Sequence, residues 1–256
     1  LRAALLPPGL ELLNEDVLYD LFGVNAELLI DHAWGWEPCT IADIKAYKPE
    51  SSSFGSGQVL SCPYSFEQTL LVVKEMADAL ALQLVDKHMV TDLIVLDVGF
   101  DVSNVPSANA RGAYGGEVKN DRYGRRTPKP AHGSARLPRK TSSARLITDA
   151  AAKLFASIAD PRLTIRRLSI AAVDVVDEAA ARPAEEAEQL DMFTDYEARD
   201  RKRAEEDRVL ARETKRQRAI LEIKKKFGKN AILKGMDLMD GATARERNGQ
   251  LGGHKA

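Results

Sequence analysis

Cysteine is nearly absent from this chain. Cys39 and Cys62 are the only two in 256 residues, and they form no C-x-x-C pair. A disulfide framework and a thiolate metal site are therefore excluded, and a reducing, cytoplasmic setting is the expectation. Long apolar runs are missing too: nothing approaches the ~18 residues of a membrane span. The N-terminal "LRAALLPPGLELL" is interrupted by two prolines, so it does not read as a targeting segment. The first residue is Leu1 rather than Met, which gives the expectation of a fragment of something longer.

Residues that carry catalytic chemistry are equally sparse. The four histidines, His32, His88, His132 and His254, lie far apart with no metal-ligand spacing. "FGKNAILKG" lacks the upstream glycine and the Ser/Thr of a phosphate loop, and "GSGQVL" lacks the third glycine of a dinucleotide fingerprint. Asp97 and Asp101 fall on one face of a strand and could hold a divalent ion only with acidic partners from a second strand, which the sequence does not offer. No metal, cofactor or catalytic residue is expected in this chain.

What is present falls into four regimes. Residues 1–37 contain two short apolar-periodic runs, Val17, Leu18, Leu21, Phe22 and then Leu28, Leu29, separated by Gly23 and Asn25, the pattern of a small helical hairpin. Residues 38–57, rich in Pro, Ser, Lys and Gly, read as an extended tether. Residues 58–176 read as a compact mixed domain: the strand "GQVLSCPY" precedes a Ser65-capped helix carrying Phe66, Leu70, Val73, Ala77, Leu80 and Leu84 at helical spacing. "MVTDLIVLDVGFD" is a strand with Ile94, Leu96, Val98 and Phe100 on its core face. After an insertion over 102–131 come the strand "HGSARLPR", a helix with Leu146, Ala150, Leu154 and Ile158 in register, and the strand "RLTIRRLSIAAVDVV". Strand, helix, strand, strand, helix, strand predicts an α+β fold, a four-stranded antiparallel sheet with two helices on one face. Residues 177–256 are an Ala/Glu stretch, a run of alternating charge with almost no apolar stripe before Ile220, and a Gly-containing tail; the charged run is expected to be a solvated helix or disordered.

Charge is the productive signal. The formal net charge is only -1. Between Val102 and Arg145, however, the chain carries Arg111, Lys119, Arg122, Arg125, Arg126, Lys129, Arg136, Arg139, Lys140 and Arg145 against Glu117 and Asp121, with Tyr114 and Tyr123 interleaved. Such a lobe is the footprint of phosphate-backbone binding. Arg167, Ser169 and Ala171 share a face of the last strand, and Ser134 and Arg136 share one on the third. If these form the helix-free face, small and basic groups line it, which suits a sugar-phosphate backbone.

"DLFGVNAELLIDHAWGWEP", "IADIKAYKPESSSFGSGQVL", "HGSARLPRKTSSARLITDA" and "RLTIRRLSI" resemble the C-terminal half of a bacterial Y-family translesion DNA polymerase of the UmuC/DinB group. The resemblance implies that 1–37 is the end of a thumb, that 38–57 is the tether crossing the template, and that 58–176 is the little-finger module gripping primer-template duplex. A damage-tolerance, SOS-type role on damaged DNA is implied with it. The family's nucleotidyl transfer rests on palm carboxylates that hold two Mg²⁺. The chain has no such palm, and Asp177–Glu178 lies after the last module strand without the flanking residues. Mg²⁺ is thus expected only for a palm, and the chain by itself is expected not to extend a primer.

The family also carries a tail motif of Gln, Leu, a variable residue, an aliphatic and Phe that docks in the sliding clamp, and Gln189, Leu190, Asp191, Met192 and Phe193 have that form. Two or three large apolar side chains entering a pocket, each contributing ~1.5 to 3 kcal/mol, suffice for micromolar binding by a flexible segment. Two alternatives stand beside this reading. A non-catalytic clamp and DNA adaptor would use the same surfaces. A free-standing RNA-binding module would need paired aromatics on its strands, which are lacking.

Overall fold

The computed structural model describes residues 15–47, 53–105, 114–121, 124–181, 196–251 and 254–255. The chain divides into two compact units, Leu1–Glu50 and Ser51–Ala256.

In the first unit, α1 (Glu15–Phe22) and α2 (Ala26–Ala33) flank a 3₁₀ turn at Gly23–Asn25, as the broken apolar periodicity predicts. Gly23 takes φ +57, a left-handed conformation that a side chain would strain. Residues 38–57, expected to be extended throughout, contain a further helix, α3 (Ile41–Ala46). Its cause is local: the Thr40 hydroxyl accepts the Asp43 N–H at 3.2 Å while the Asp43 carboxylate accepts the Thr40 N–H at 2.9 Å, a reciprocal capping box.

The second unit runs β1 (Phe54–Tyr64), α4 (Phe66–Asp86), β2 (Met89–Phe100), β3 (Val118–Asn120), β4 (Arg126–Pro128), β5 (Ala131–Thr141), α5 (Ala144–Ile158), β6 (Ile165–Val173) and β7 (Val176–Asp177). The four long strands form an antiparallel sheet in the order β1-β6-β2-β5, and β7 adds a two-residue fifth strand beside the start of β2. β1 begins at Phe54, inside the stretch read as tether. Ser65 caps α4 as the sequence predicts, with Gln68 returning the bond to the Ser65 N–H.

The core lies between the sheet and the two helices. Ile94, Leu96, Val98 and Phe100 of β2 and Leu168, Ile170 and Ala172 of β6 are buried against Val73, Ala77, Leu80 and Leu84 of α4. On α5 the expected stripe needs correction: the buried set is Ala144, Ile147, Ala151, Leu154 and Phe155, whereas Leu146, Ala150 and Ile158 are only partly buried. The most buried positions are offset from that stripe, Leu146, Ala150 and Ile158 pack at its margin, and the Phe155 ring stacks on Phe66 at 4.8 Å between centroids. Gly133 of β5 makes room for the end of α5, since a Cβ there would meet Ile158 Cγ2 at 2.9 Å and Leu154 Cδ1 at 3.0 Å.

The charged run forms one helix, α6 (Tyr196–Phe227), solvated along most of its length but anchored at two buried residues, Glu213 and Gln217. The Glu213 carboxylate accepts the Ser143 hydroxyl at 2.7 Å and the Arg145 N–H at 2.9 Å, and so caps the N-terminus of α5 from another element. Gln217 Nε2 donates to the Ser142 carbonyl at 3.1 Å. Reciprocally, Glu75 on α4, 2% exposed, accepts the Thr243 N–H, the Thr243 hydroxyl and the Ala244 N–H at the start of the one-turn helix α7 (Ala244–Arg247). The tail thus docks on the helical layer, and among the described residues of this unit no helix packs on the opposite sheet face.

Candidate nucleic-acid interface

Strand alternation and register assemble that bare face. Gly57, Ser169, Asp97 and His132 align across β1, β6, β2 and β5, and the next row is Gly55, Ala171, Val95 and Ser134. Arg136 lies opposite Leu93 at one end of β2, and Arg167 lies opposite Gly99 and Val59 at the other. Glycine, alanine and serine at five of the eight positions in these two rows keep the middle of the surface low. At Gly99 a Cβ would sit 3.1 Å from that of Arg167, and at Gly55 one would sit 3.2 Å from the Ile170 carbonyl oxygen. Near the centre His132 Nδ1–H donates to Asp97 at 2.6 Å, which occupies the one carboxylate of these rows.

A β-bulge adds a feature that the sequence pattern does not reveal. Between the pairs Gly99↔Arg167 and Phe100↔Ile165 the register shifts, and residue 166 is the extra one on β6. Bulges re-aim side chains. Arg166, which strict alternation would place opposite to Arg167, instead lines the same groove as its neighbour. That groove, about 820 Å³, is bounded by Val59, Gly99, Val102, Asp121, Arg125, Thr127, Pro130, Arg166 and Arg167 among others. Its outer wall is the β3–β4 hairpin, whose tip is tied by Asp121: the carboxylate accepts both the Arg125 N–H at 2.9 Å and its guanidinium at 2.7 Å. Asp121 belongs to this tie and Asp101 caps the adjoining 3₁₀ turn through the Ser103 N–H at 2.9 Å. Among the described residues no group of three or more His, Cys, Asp or Glu could hold a metal.

Apart from Arg145, which is exposed and gives its N–H to Glu213, the basic residues singled out in the sequence separate into three groups. Arg111 and Arg122 lie outside the described residues, as do Gln189, Leu190, Asp191, Met192 and Phe193. Five others are held by the protein's own carboxylates: Arg125 by Asp121, Lys129 by Glu117 at 2.8 Å, Arg136 and Lys140 together by Asp92 at 2.7 and 2.9 Å, and Arg139 by Asp207 of α6. The Lys140 hydrogen bond, with the charges of Lys140 and Arg136, holds the Asp92 carboxyl below its usual range. Lys129 does the same for Glu117. Lys119, Arg126 and Arg167 are exposed, and neither they nor Arg166 has a carboxylate within ion-pair distance among the described residues. Lys119 pairs with Thr127 across the hairpin and so shares the face of Thr127, which lines the groove. Of Asp177 and Glu178, the first binds the Ala179 N–H and the second pairs with Arg218.

An antiparallel sheet with helices packed on one side and, among the described residues of this unit, none on the other, with its cations at the ends and edges of that second side, defines a little-finger-type α+β domain. Residues 51–192 match the impB/mucB/samB family C-terminal domain. This is more than half of the chain, and the chain belongs to that family, the matched stretch being the C-terminal domain of UmuC/DinB-type Y-family polymerases. A domain of this kind is associated with DNA. No curated protein matched the chain. Among the described residues no helix is long and apolar enough to cross a membrane.

Proposed function

We propose that the bare sheet face grips primer-template DNA through its backbone in damage-tolerant synthesis, and that Gln189–Phe193 docks on a bacterial sliding clamp. The observation that carries the first part is the set of small residues Gly55, Gly57, Gly99, Ser134, Ser169 and Ala171, spread over three cross-strand rows of a face with cations at both ends. A duplex can approach such a surface closely, and none of its rows offers a base-reading helix, so binding is through phosphates and tolerant of sequence. No Phe, Tyr or Trp stands in those rows and the one aromatic ring there, His132, is tied to Asp97, which argues against base stacking in the manner of an RNA-binding sheet. The clamp reading rests on sequence form: Leu190 and Phe193 are the anchors, Met192 adapts, and Gln189 orients.

Anisotropy titrations of the 256-residue chain with primer-template duplexes of unrelated sequence test the first part. Affinities within about threefold of one another are expected, since phosphate contacts carry no sequence information. A preference of a hundredfold for one sequence, or no binding at low salt, contradicts it.

A further inference from the structure

The second half of α6 carries an excess of positive charge that lies apart from the sheet face. From Arg212 to Lys234 the sequence holds nine lysines and arginines against Glu213 and Glu222, and Glu213 is spent on the cap of α5. Three of the nine are neutralised by the folded unit: Arg218 by Glu178, Lys225 by Asp86 and Lys234 by Asp78. Lys224 donates to the Lys229 carbonyl at 2.7 Å. The other five, Arg212, Lys215, Arg216, Lys226 and Lys229, are exposed, with no carboxylate within ion-pair distance among the described residues. Arg212, Lys215, Arg216, Ile223, Lys226 and Phe227 fall at i, i+3, i+4, i+11, i+14 and i+15, so they share one side of the helix, with Glu222 at its margin. Lysines in a last turn offset the helix dipole, an effect that fades within that turn. This accounts for Lys226 and leaves Arg212, Lys215 and Arg216, two turns or more upstream, unexplained.

Apolar groups stand among these cations: Ile223 is 37% exposed and Phe227 67%. Phe227 forms one wall of a hollow of about 690 Å³, lined also by Lys229 and the carboxamides of Asn230, Asn248 and Gln250, with small residues between them and no carboxylate among the described residues. Asn230 is fixed there, donating to the Arg245 carbonyl at 3.1 Å and accepting from Asn248 at 2.8 Å. The size lies within the ~300–1,000 Å³ of ligand sites. Cations, an exposed ring and carboxamides that both donate and accept match the phosphate, the face and the edge of an unpaired nucleotide. A duplex hides the last two, and an acidic peptide would need only the first. We propose that the outer side of α6 binds single-stranded DNA, with its phosphates on the five cations and one base against Phe227 in the hollow. From Arg212 to Lys226 the helix rises about 21 Å, room for several nucleotides. Because α6 packs on α4, on the helical side of the sheet, this strand and a duplex on the sheet face occupy different surfaces, and the two readings stand or fall separately.

The test measures binding of a labelled twelve-nucleotide oligothymidylate and of a blunt duplex to the whole chain and to two variants, Arg212→Gln/Lys215→Gln/Arg216→Gln/Lys226→Gln and Phe227→Ser, with thermal melts confirming that both fold. The charge variant is expected to weaken oligothymidylate binding by about tenfold at low salt and to flatten the salt slope by about 2, since each phosphate contact on a single strand contributes ~0.7. Phe227→Ser should weaken it by about fivefold, the low end of one lost base stack. Duplex affinity should stay within about twofold in both. Oligothymidylate binding that is absent from the parent chain, or unchanged by either variant, overturns the inference, as does an equal loss for the duplex. Binding of a polyglutamate peptide in place of the oligothymidylate also overturns it and assigns the face to an acidic protein. Failure of the duplex alone to bind contradicts the sheet-face grip and leaves this site standing.

Discussion

Asp92 is the residue on which the electrostatics of the sheet face turn. Its side chain, 17% exposed, neutralises Arg136 of the bare face and Lys140 at once. Asp92→Asn is therefore expected to raise DNA affinity by ~2- to 5-fold at low salt, because two cations become available to phosphates, and to steepen the salt dependence. Unchanged affinity and slope would show that these cations do not face the ligand. The sequence gives no hint of this pairing, since Asp92 and Arg136 are 44 positions apart and meet only through the β2–β5 register. Asp160 offers a pH test on the turn into β6. The Arg162 guanidinium and N–H hold its carboxyl down at about 2. A carboxyl with a lowered folded-state pKa adds stability above its unfolded value of ~3.9 and loses it as pH falls toward about 2. Arg162 is 85% exposed, so solvent screening keeps the contribution small. Asp160→Asn should lower the melting temperature slightly at pH 7 and leave it unchanged at pH 2, as melts at the two pH values would show.

At the scale of elements, two carboxylates cap helices that they do not belong to. Glu213 of α6 serves α5, and Glu75 of α4 serves α7. Glu213→Ala leaves the Arg145 N–H and the Ser143 hydroxyl without that partner in a buried site. The expected cost is about 1–3 kcal/mol, measured by denaturant unfolding. No change in stability would mean that α6 does not dock in solution. Strand alternation made the sheet legible in advance: Ile94, Leu96, Val98 and Phe100 face the core, and Arg167, Ser169 and Ala171 face away. What periodicity could not supply were events set by pairing between distant segments. The bulge that re-aims Arg166 depends on how β6 meets β2, and the docking of α6 depends on Glu213 and Gln217, polar residues in a stretch that patterns as solvated. The capping box of α3, by contrast, was present locally as Thr40 and Asp43.

At the scale of the whole molecule, the proposed DNA grip and the proposed clamp motif, Gln189–Phe193, belong to different stretches of the sequence. Leu190→Ala with Phe193→Ala should abolish sliding-clamp binding, read by surface plasmon resonance, and leave the melting temperature and duplex affinity unchanged. Loss of the fold in that variant would place the two side chains in the core instead. The proposed DNA grip requires that cations at the end of the sheet contact DNA phosphates. It is tested most directly by the slope of log binding constant against log salt for the parent chain and for Lys119→Gln/Arg166→Gln/Arg167→Gln, which removes three charges and retains side-chain stems. Each phosphate contact contributes ~0.9 to that slope. A slope shallower by about 2 to 3, with weaker binding at every low-salt point, is the expected result, and a slope identical to the parent's would contradict the account.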